Sequence, residues 1–136
     1  MTALTITGIT IRLIRNRIAM VRSHGIGSVK ETIPRVILRL DTDAGLSGWG
    51  EATPWEVFSG TAEAAFDAID GYLRPHLLGA DAMRLPAIMQ ACDHAVTGEA
   101  AAKAAIEMAL LDLQGKALGA PLYQLLGGKC RDSIPL

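Results

Sequence analysis

The sequence predicts an α+β domain in which a three-stranded antiparallel β-meander precedes a helical bundle. Apolar and polar residues alternate along two early segments, which is the pattern of half-buried strands. A short turn rich in Asp and Gly then leads into a third segment of the same kind. After Gly60 the apolar spacing changes to three and four residues, the period of amphipathic helices.

Alternation and turn chemistry define the strands. The first is TGITIRL, residues 7–13, and the second is IPRVILRLD, residues 33–41, which places Val36, Leu38 and Leu40 on one face. Between them, residues 16–31 contain two glycines and have no clean period, so we expect a long loop there.

A tight hairpin is predicted to complete the meander. The turn DTDAG, residues 41–45, carries the Asp and Gly side chains typical of hairpin turns. The segment that follows, LSGWGEA at residues 46–52, resumes extended structure.

Three helices are predicted downstream. Thr61 is suited to cap the first helix, and Pro75 is expected to stop it. The apolar stripe of this helix comprises Ala62, Ala65, Phe66, Ile69, Tyr72 and Leu73. The stripe of the second comprises Leu85, Ile88, Met89, Cys92, Ala95 and Val96, with Pro86 in its first turn.

The third helix is expected from about residue 99 to residue 118. Gly119 and Pro121 provide its stop, and Asp112 can pair with Lys116 one turn away. Its apolar stripe comprises Ala102, Ala105, Ile106, Ala109 and Leu113. The small side chains of this helix would let a neighbouring backbone approach closely.

Composition limits the class of protein. Half of the residues are apolar, and the mean hydropathy of +0.29 is high for a small domain, which indicates an apolar partner surface. No apolar run approaches the ~20 residues of a membrane span, and the N-terminus lacks the pattern of a secretory signal, so we expect a cytoplasmic protein without membrane contact. Cys92 and Cys130 have no metal-ligand spacing and are interpreted as reduced packing residues.

Charge is uneven along the chain. Residues 1–40 carry seven basic side chains and one acid, Glu31, whereas the whole chain has a net charge of −1. We favour solvated strand faces as the explanation, because no nucleic-acid motif accompanies the arginines. A positive field for a small anionic substrate is the other alternative.

The segment GWGEATPWEVFSG, residues 48–60, contains two tryptophans and two glutamates in a chain that is only 4% aromatic. A carboxylate beside an indole ring suits acid/base chemistry, because an apolar neighbour raises a carboxyl pKa. The segment is therefore a candidate active site on residue types alone.

A longer motif carries a family resemblance. The segment AKAAIEMALLDLQGKALGAPLYQLLGG, residues 102–128, combines small residues, spaced acids, a Gly-Lys pair and an LLGG ending in one ungapped stretch. It resembles the signature of the mandelate racemase/muconate lactonizing enzyme family of the enolase superfamily, with the muconate cycloisomerase subgroup closest. DAGLSGWGEA, residues 43–52, and GGKCRDSIPL, residues 127–136, are similar to that family too.

The resemblance implies an enolase-like N-terminal capping domain over residues 1–128. Residues 129–136 would then begin the segment leading into a β/α barrel domain, which is not in this chain. In this family the barrel carries the base and three carboxylates that hold Mg²⁺ or Mn²⁺. The resemblance therefore implies no catalytic residue and no metal ligand here, inactivity of the chain alone, and a homo-oligomer at full length.

Two loops of such a cap select the substrate, and they correspond here to residues 18–29 and 53–60. In the first loop, Arg22 could bind a carboxylate and His24 could form a polar wall. A solvated side chain is the favoured interpretation of Arg22 and an equal alternative for His24. In the second, Trp55, Val57 and Phe58 are interpreted as a cover over an apolar part of the substrate, with packing against the first helix as the alternative.

The carboxylates of the chain are assigned to its framework. In the family the glutamate at the position of Glu51 belongs to the cap rather than to the acid/base set. Glu107 and Asp112 share a helix, but their five-residue offset points them about 140° apart, which is poor for a shared metal.

The sequence thus favours the substrate-specificity cap of a metal-dependent isomerase or lyase that acts on a small carboxylate, most similar to muconate cycloisomerase. Amino-acid racemase, dipeptide epimerase, sugar-acid dehydratase and o-succinylbenzoate synthase chemistries share such a cap and stay open. A non-catalytic stand-alone binding domain is the alternative from another class.

Overall fold

The computed structural model describes residues 3–29 and 31–135, without the side chains of Arg22, His24 and Val29. The strands of this part of the chain are β1 (Ile6–Arg17), β2 (Arg22–His24), β3 (Gly27–Val29), β4 (Thr32–Thr42) and β5 (Ser47–Ala52). The helices are α1 (Ala62–Asp67), α2 (Arg74–Leu77), α3 (Leu85–Ala95), α4 (Ala100–Leu118) and α5 (Leu122–Leu125). A π-helical segment, Ala68–Leu73, joins α1 to α2.

The predicted meander is confirmed. Strands β1, β4 and β5 form one antiparallel sheet in that order, and Leu38 lies between Ile11 of β1 and Gly50 of β5. Val36, Leu38 and Leu40 are fully buried on the face that the helices cover. The alternation seen in the sequence therefore assigns the two faces of the sheet correctly.

The long loop predicted for residues 16–31 is wrong in part. Strands β1 and β4 stay paired as far as Arg17 and Thr32, beyond the helices, where neither face is buried and no apolar alternation is needed. The rest of the stretch contains a small hairpin in which β2 pairs with β3, and the hydroxyl groups of Ser23 and Ser28 lie 2.9 Å apart.

Two predictions for the first helix are also wrong. Thr61 does cap α1, accepting the N–H of Ala64 at 3.1 Å, but Pro75 lies inside the continuing helix rather than at its end. The N–H of Arg74 donates to the carbonyl of Ile69, five residues back, which is the hydrogen-bond spacing of a π-helix. This wider turn directly precedes Pro75, which has no N–H to donate to the helix. This register rotates Tyr72 out of the stripe, and its side chain is 61% exposed.

The second and third helices follow the prediction. Helix α3 begins at Leu85 with Pro86 in its first turn, and α4 ends at Gly119, which has a φ of 61°. The predicted stripe of α4 is fully buried against the sheet. Cys92 is buried as expected, whereas Cys130 is exposed and does not pack in the described part of the chain.

Helix α4 lies directly on the backbone of β5. An ideal Cβ at Gly50 would stand 1.9 Å from the carbonyl oxygen of Ala105, and one at Gly48 would stand 2.2 Å from that of Ala109. The glycines of β5 and the alanines of α4 thus let the two backbones approach closely, as predicted from the small side chains of the helix. This contact fixes the position of β5, and with it the start of the loop that follows.

Candidate functional site

A cleft of about 290 Å³ lies where the two predicted loops meet. The hairpin of the first loop contributes Ser28, the beginning of β4 contributes residues 32–34, and the second loop contributes residues 53–56. We call this the loop cleft. Because β4 begins after the first loop and β5 ends before the second, their pairing brings both loops to one end of the sheet.

The second loop is a compact turn. The carbonyl of Trp55 accepts the N–H groups of Phe58 at 2.8 Å and Ser59 at 2.9 Å, and the hydroxyl of Ser59 accepts the N–H of Trp55 at 3.0 Å. The rings of Trp55 and Phe58 are edge to face with centroids 4.9 Å apart. The loop therefore presents a preformed aromatic pair.

Side chains of this loop differ in exposure. Trp55 is half-buried and lines the loop cleft, whereas Val57 is 56% and Phe58 is 65% exposed. Both exposed side chains lie near the tip of the turn rather than packed into the core. The turn thus combines one aromatic side chain in the cleft with two apolar ones in solvent.

Glu51 forms a structural network instead of an acid/base site. Its Oε1 accepts the hydroxyl of Thr53 at 2.6 Å and Nη1 of Arg35 at 2.8 Å. The Thr53 hydrogen bond lowers the pKa of Glu51; partial burial opposes this, and Arg35 adds to the lowering. For Glu51, the hypothesis of a carboxyl group with a raised pKa beside an indole is therefore wrong, and its assignment to the framework agrees with this geometry.

Residues 9–127 match the family model described as "Mandelate racemase / muconate lactonizing enzyme, N-terminal domain". The chain belongs to this family. A chloromuconate cycloisomerase of Cupriavidus pinatubonensis is 46% identical over 104 residues, which cover 74% of this chain and 28% of the relative. The L-Ala-D/L-Glu epimerase of Bacillus subtilis is 43% identical over 104 residues, covering 76% of this chain and 28% of the relative.

A solved structure agrees with the family assignment. The muconate cycloisomerase from Azorhizobium caulinodans is 43% identical, has a TM-score of 0.80, and covers 100% of this chain and 34% of its own. This mandelate racemase/muconate lactonizing enzyme domain thus spans about a third or less of the relatives that it matches.

The family resemblance implies a divalent cation held by the barrel domain, and the described residues of this chain do not fit one. Among them no group of three or more His, Cys, Asp or Glu side chains could hold a metal ion. Asp112 is engaged by Lys116 at 2.7 Å and by the N–H of Trp49 at 2.9 Å, and Glu107 is exposed on another side of α4. No catalytic step is therefore assigned to a metal on this part of the family domain.

The first-loop predictions concern residues whose side chains lie outside the described ones. The backbone of Arg22 pairs with Val29, and that of His24 pairs with Gly27, within the small hairpin. Their roles in substrate binding stay predictions. None of the described helices is long and apolar enough to cross a membrane.

Sequence reasoning missed part of the loop cleft in this family domain. Ser28 falls in the predicted first loop but was not singled out, and Ile33 and Pro34 were assigned only to a strand. The hairpin register could have identified them. Because Val36 pairs with Ala52 in antiparallel strands, the residues that precede Val36 lie near the residues that follow Ala52.

Proposed function

We propose that this chain is the substrate-specificity cap of a divalent-metal-dependent isomerase or lyase acting on a small carboxylate, with a reaction like that of muconate cycloisomerase. The observation that carries the proposal is the loop cleft, which both loops line together and into which Trp55 projects an aromatic surface. The 46% identity to a chloromuconate cycloisomerase supports the subgroup.

The cap and its partner domain have separate tasks in this proposal. The partner would be a C-terminal β/α barrel that holds the base and the metal, and a divalent cation bound there would stabilise the negative charge that develops on the substrate. The residues of this chain bind and orient the substrate and exclude water. Trp55, Ile33 and Pro34 provide the apolar wall for this, since water exclusion strengthens electrostatic interactions inside a closed site.

Val57 and Phe58 extend this wall. They are large apolar side chains, more than half exposed on an otherwise compact turn. Burying such surface is favourable by about 25 cal/mol per Å². We infer that they are covered when a substrate and the barrel mouth meet the second loop, and that Arg22 and His24 contribute from the first loop.

Glu56 favours a second candidate, dipeptide epimerase chemistry. It also lines the loop cleft and carries a carboxylate, which attracts the ammonium group of a dipeptide and repels a dicarboxylate such as muconate. The 43% identity to an L-Ala-D/L-Glu epimerase supports this alternative. An amino-acid racemase substrate carries the same ammonium group, whereas sugar-acid dehydratase and o-succinylbenzoate synthase chemistries, and a non-catalytic binding domain, have no comparable observation in the loop cleft.

The test is turnover by the full-length protein with Mg²⁺ or Mn²⁺, measured as kcat/KM for cis,cis-muconate, chloromuconates and L-Ala-L-Glu. Turnover of a muconate supports the proposal. Epimerisation of the dipeptide with no muconate turnover supports the second candidate. Absence of turnover of all of these substrates would contradict both candidates, and metal-dependent activity of the 136-residue chain alone would contradict the division of tasks.

Matched tryptophan variants test the role of the cap. Trp55→Phe should change the ratio of kcat/KM between two substrates, whereas Trp49→Phe should leave it unchanged, because Trp49 lies on the sheet away from the loop cleft. Glu56→Gln distinguishes the candidates: it should weaken dipeptide binding but strengthen muconate binding, which the change of KM reports.

A further inference from the structure

Three side chains form a continuous hydrogen-bonded group at the base of the second loop. Arg35 on β4 and Thr53 just after β5 both donate to Oε1 of Glu51, at 2.8 Å and 2.6 Å. We call this group the loop clamp. Its members share the outer face of the sheet, since the intervening Val36 and Ala52 are buried on the other face.

The loop clamp lies where the backbone ladder stops. The last pair between β4 and β5 is Val36 with Ala52, and beyond it Thr53 and Pro54 run without strand pairing. The compact turn begins only at Trp55. The strand pairing that would hold residues 53 and 54 is therefore replaced by the hydrogen bond from the side chain of Thr53 to Glu51. These two residues connect β5 to the compact turn.

Both walls of the loop cleft are next to the clamp. Pro34 precedes Arg35, Pro54 follows Thr53, and both prolines line the cleft. A proline restricts the backbone of the residue before it to extended conformations, so little torsional freedom remains between the clamp and Trp55. A shift at Thr53 is therefore transmitted to the tryptophan ring.

Arg35 depends on Glu51 for its charge balance. Its Nε is buried and has no hydrogen-bond partner among the described residues, and its side chain is 34% exposed. A partly desolvated guanidinium group that has few hydrogen-bond acceptors is strongly stabilised by one charge-assisted hydrogen bond. Glu51 thus ties β4, with the first wall of the cleft, to Thr53 and the second wall.

We propose that Arg35, Glu51 and Thr53 are positioning residues that hold Trp55 over the loop cleft and thereby set substrate preference. Arg35 and Glu51 act through the backbone of the second loop and need no contact with the substrate, whereas Thr53 also lines the loop cleft. The effect on substrate preference rests on the proposed function, whereas the effect on the position of Trp55 does not.

The test uses the full-length protein with 5-fluorotryptophan, in which the ¹⁹F resonance of residue 55 is assigned with Trp55→Phe. Thr53→Val removes the donor at nearly constant shape, and Thr53→Ser keeps it. We expect Thr53→Val to move or broaden the Trp55 resonance and to change the ratio of kcat/KM between two substrates by about three- to tenfold. Thr53→Ser should leave both the Trp55 resonance and the ratio of kcat/KM as they are in the wild-type protein.

A second variant keeps the test independent of one substitution. Glu51→Gln retains an acceptor for Thr53 but loses the charge that faces Arg35, so a smaller change of the same resonance is expected. An unchanged Trp55 resonance in both Thr53→Val and Glu51→Gln would overturn the proposal. If Trp55→Phe itself leaves the substrate ratio unchanged, the proposed function fails, while a moved resonance in Thr53→Val still supports the clamp.

Discussion

The carboxylate of Asp112 on α4 accepts the backbone N–H of Trp49 on β5 at 2.9 Å. Because β5 pairs only with β4 within the described sheet, this N–H belongs to an edge strand. Lys116, one turn further along α4, binds Asp112 at 2.7 Å and donates to the carbonyl of Ser47 at 2.7 Å. One helical ion pair therefore satisfies both a donor and an acceptor of the sheet edge, which would otherwise be open to pairing with another chain.

Asp112→Ala should expose this edge. Loss of a hydrogen bond to a charged acceptor leaves the N–H of Trp49 without its partner, and we expect a destabilisation of about 1–3 kcal/mol. Hydrogen exchange measured by mass spectrometry on the peptide containing β5 should become faster. Glu107→Ala is the matched control, because Glu107 is an exposed carboxylate on the same helix, and it should stay within about 0.5 kcal/mol. Equal protection of β5 in both variants would contradict the role of Asp112.

Gly50→Ala should prevent the packing of α4 on β5. The new Cβ would stand 1.9 Å from the carbonyl oxygen of Ala105, and backbone on both sides leaves no flexible side chain to move. We expect a loss of more than about 4 kcal/mol, seen as insoluble protein or a collapse of the thermal midpoint.

Gly71→Ala is the control for this substitution. Gly71 lies in the π-helical segment, and no heavy atom of the described residues outside its immediate helix lies within 4 Å of its Cβ position. An alanine there should be neutral or stabilising by up to about 1 kcal/mol. A soluble Gly50→Ala protein with an unchanged midpoint would contradict the close approach.

Local chemistry made much of the fold predictable. Val36, Leu38 and Leu40 show their shared face by alternation, and Thr61 and Gly119 mark helix ends through backbone effects that act within a few residues. The π register before Pro75 was not predictable in this way. Its apolar spacing reads as an ordinary helix, and the missing N–H of Pro75 indicates an interruption of α-helical bonding without specifying the wider turn that replaces it.

The candidate site was less accessible from sequence because it depends on contacts between distant residues. The two loops could be placed by resemblance, but Arg35 and Glu51 lie 16 residues apart, and their pairing requires the register of the hairpin. That register follows from the short turn at residues 42–46, so this contact could have been derived. The contact of Asp112 with Trp49, 63 residues apart, depends on how the helix docks and has no local signal.

Cys92 should react with thiol reagents only when this domain unfolds. Its side chain is fully buried on α3, and burial raises the pKa of the thiol, so both access and the thiolate fraction are low. Iodoacetamide labelling followed by peptide mass spectrometry should show Cys92 modified far more slowly than the exposed Cys130. Urea should accelerate the labelling of Cys92. Equal rates for the two cysteines without denaturant would show that α3 is not packed as described.

Asp81→Asn should remove an acid-sensitive part of the stability. Oδ1 of Asp81 accepts the N–H groups of Leu4 and Met83, both at 3.0 Å, and these bonds tie the start of the chain to the segment before α3. They lower the pKa of Asp81 below its ordinary value of 3.8. A carboxyl group whose pKa is lowered by folding stabilises the folded state at pH values above its ordinary pKa. This contribution is lost as the pH falls through the pKa of the folded state.

The wild-type protein should therefore exceed Asp81→Asn in stability by about 1 kcal/mol at pH 7, and the difference should shrink below pH 3.8. Urea titrations followed by the ¹⁹F resonance of fluorinated Trp49 report the unfolding of this domain at either pH. Asp67→Asn is the control, because Asp67 is exposed and accepts no side-chain hydrogen bond among the described residues. A difference between wild type and Asp81→Asn that stays constant from pH 7 to pH 3 would show that the charge of Asp81 does not hold the N-terminal strand.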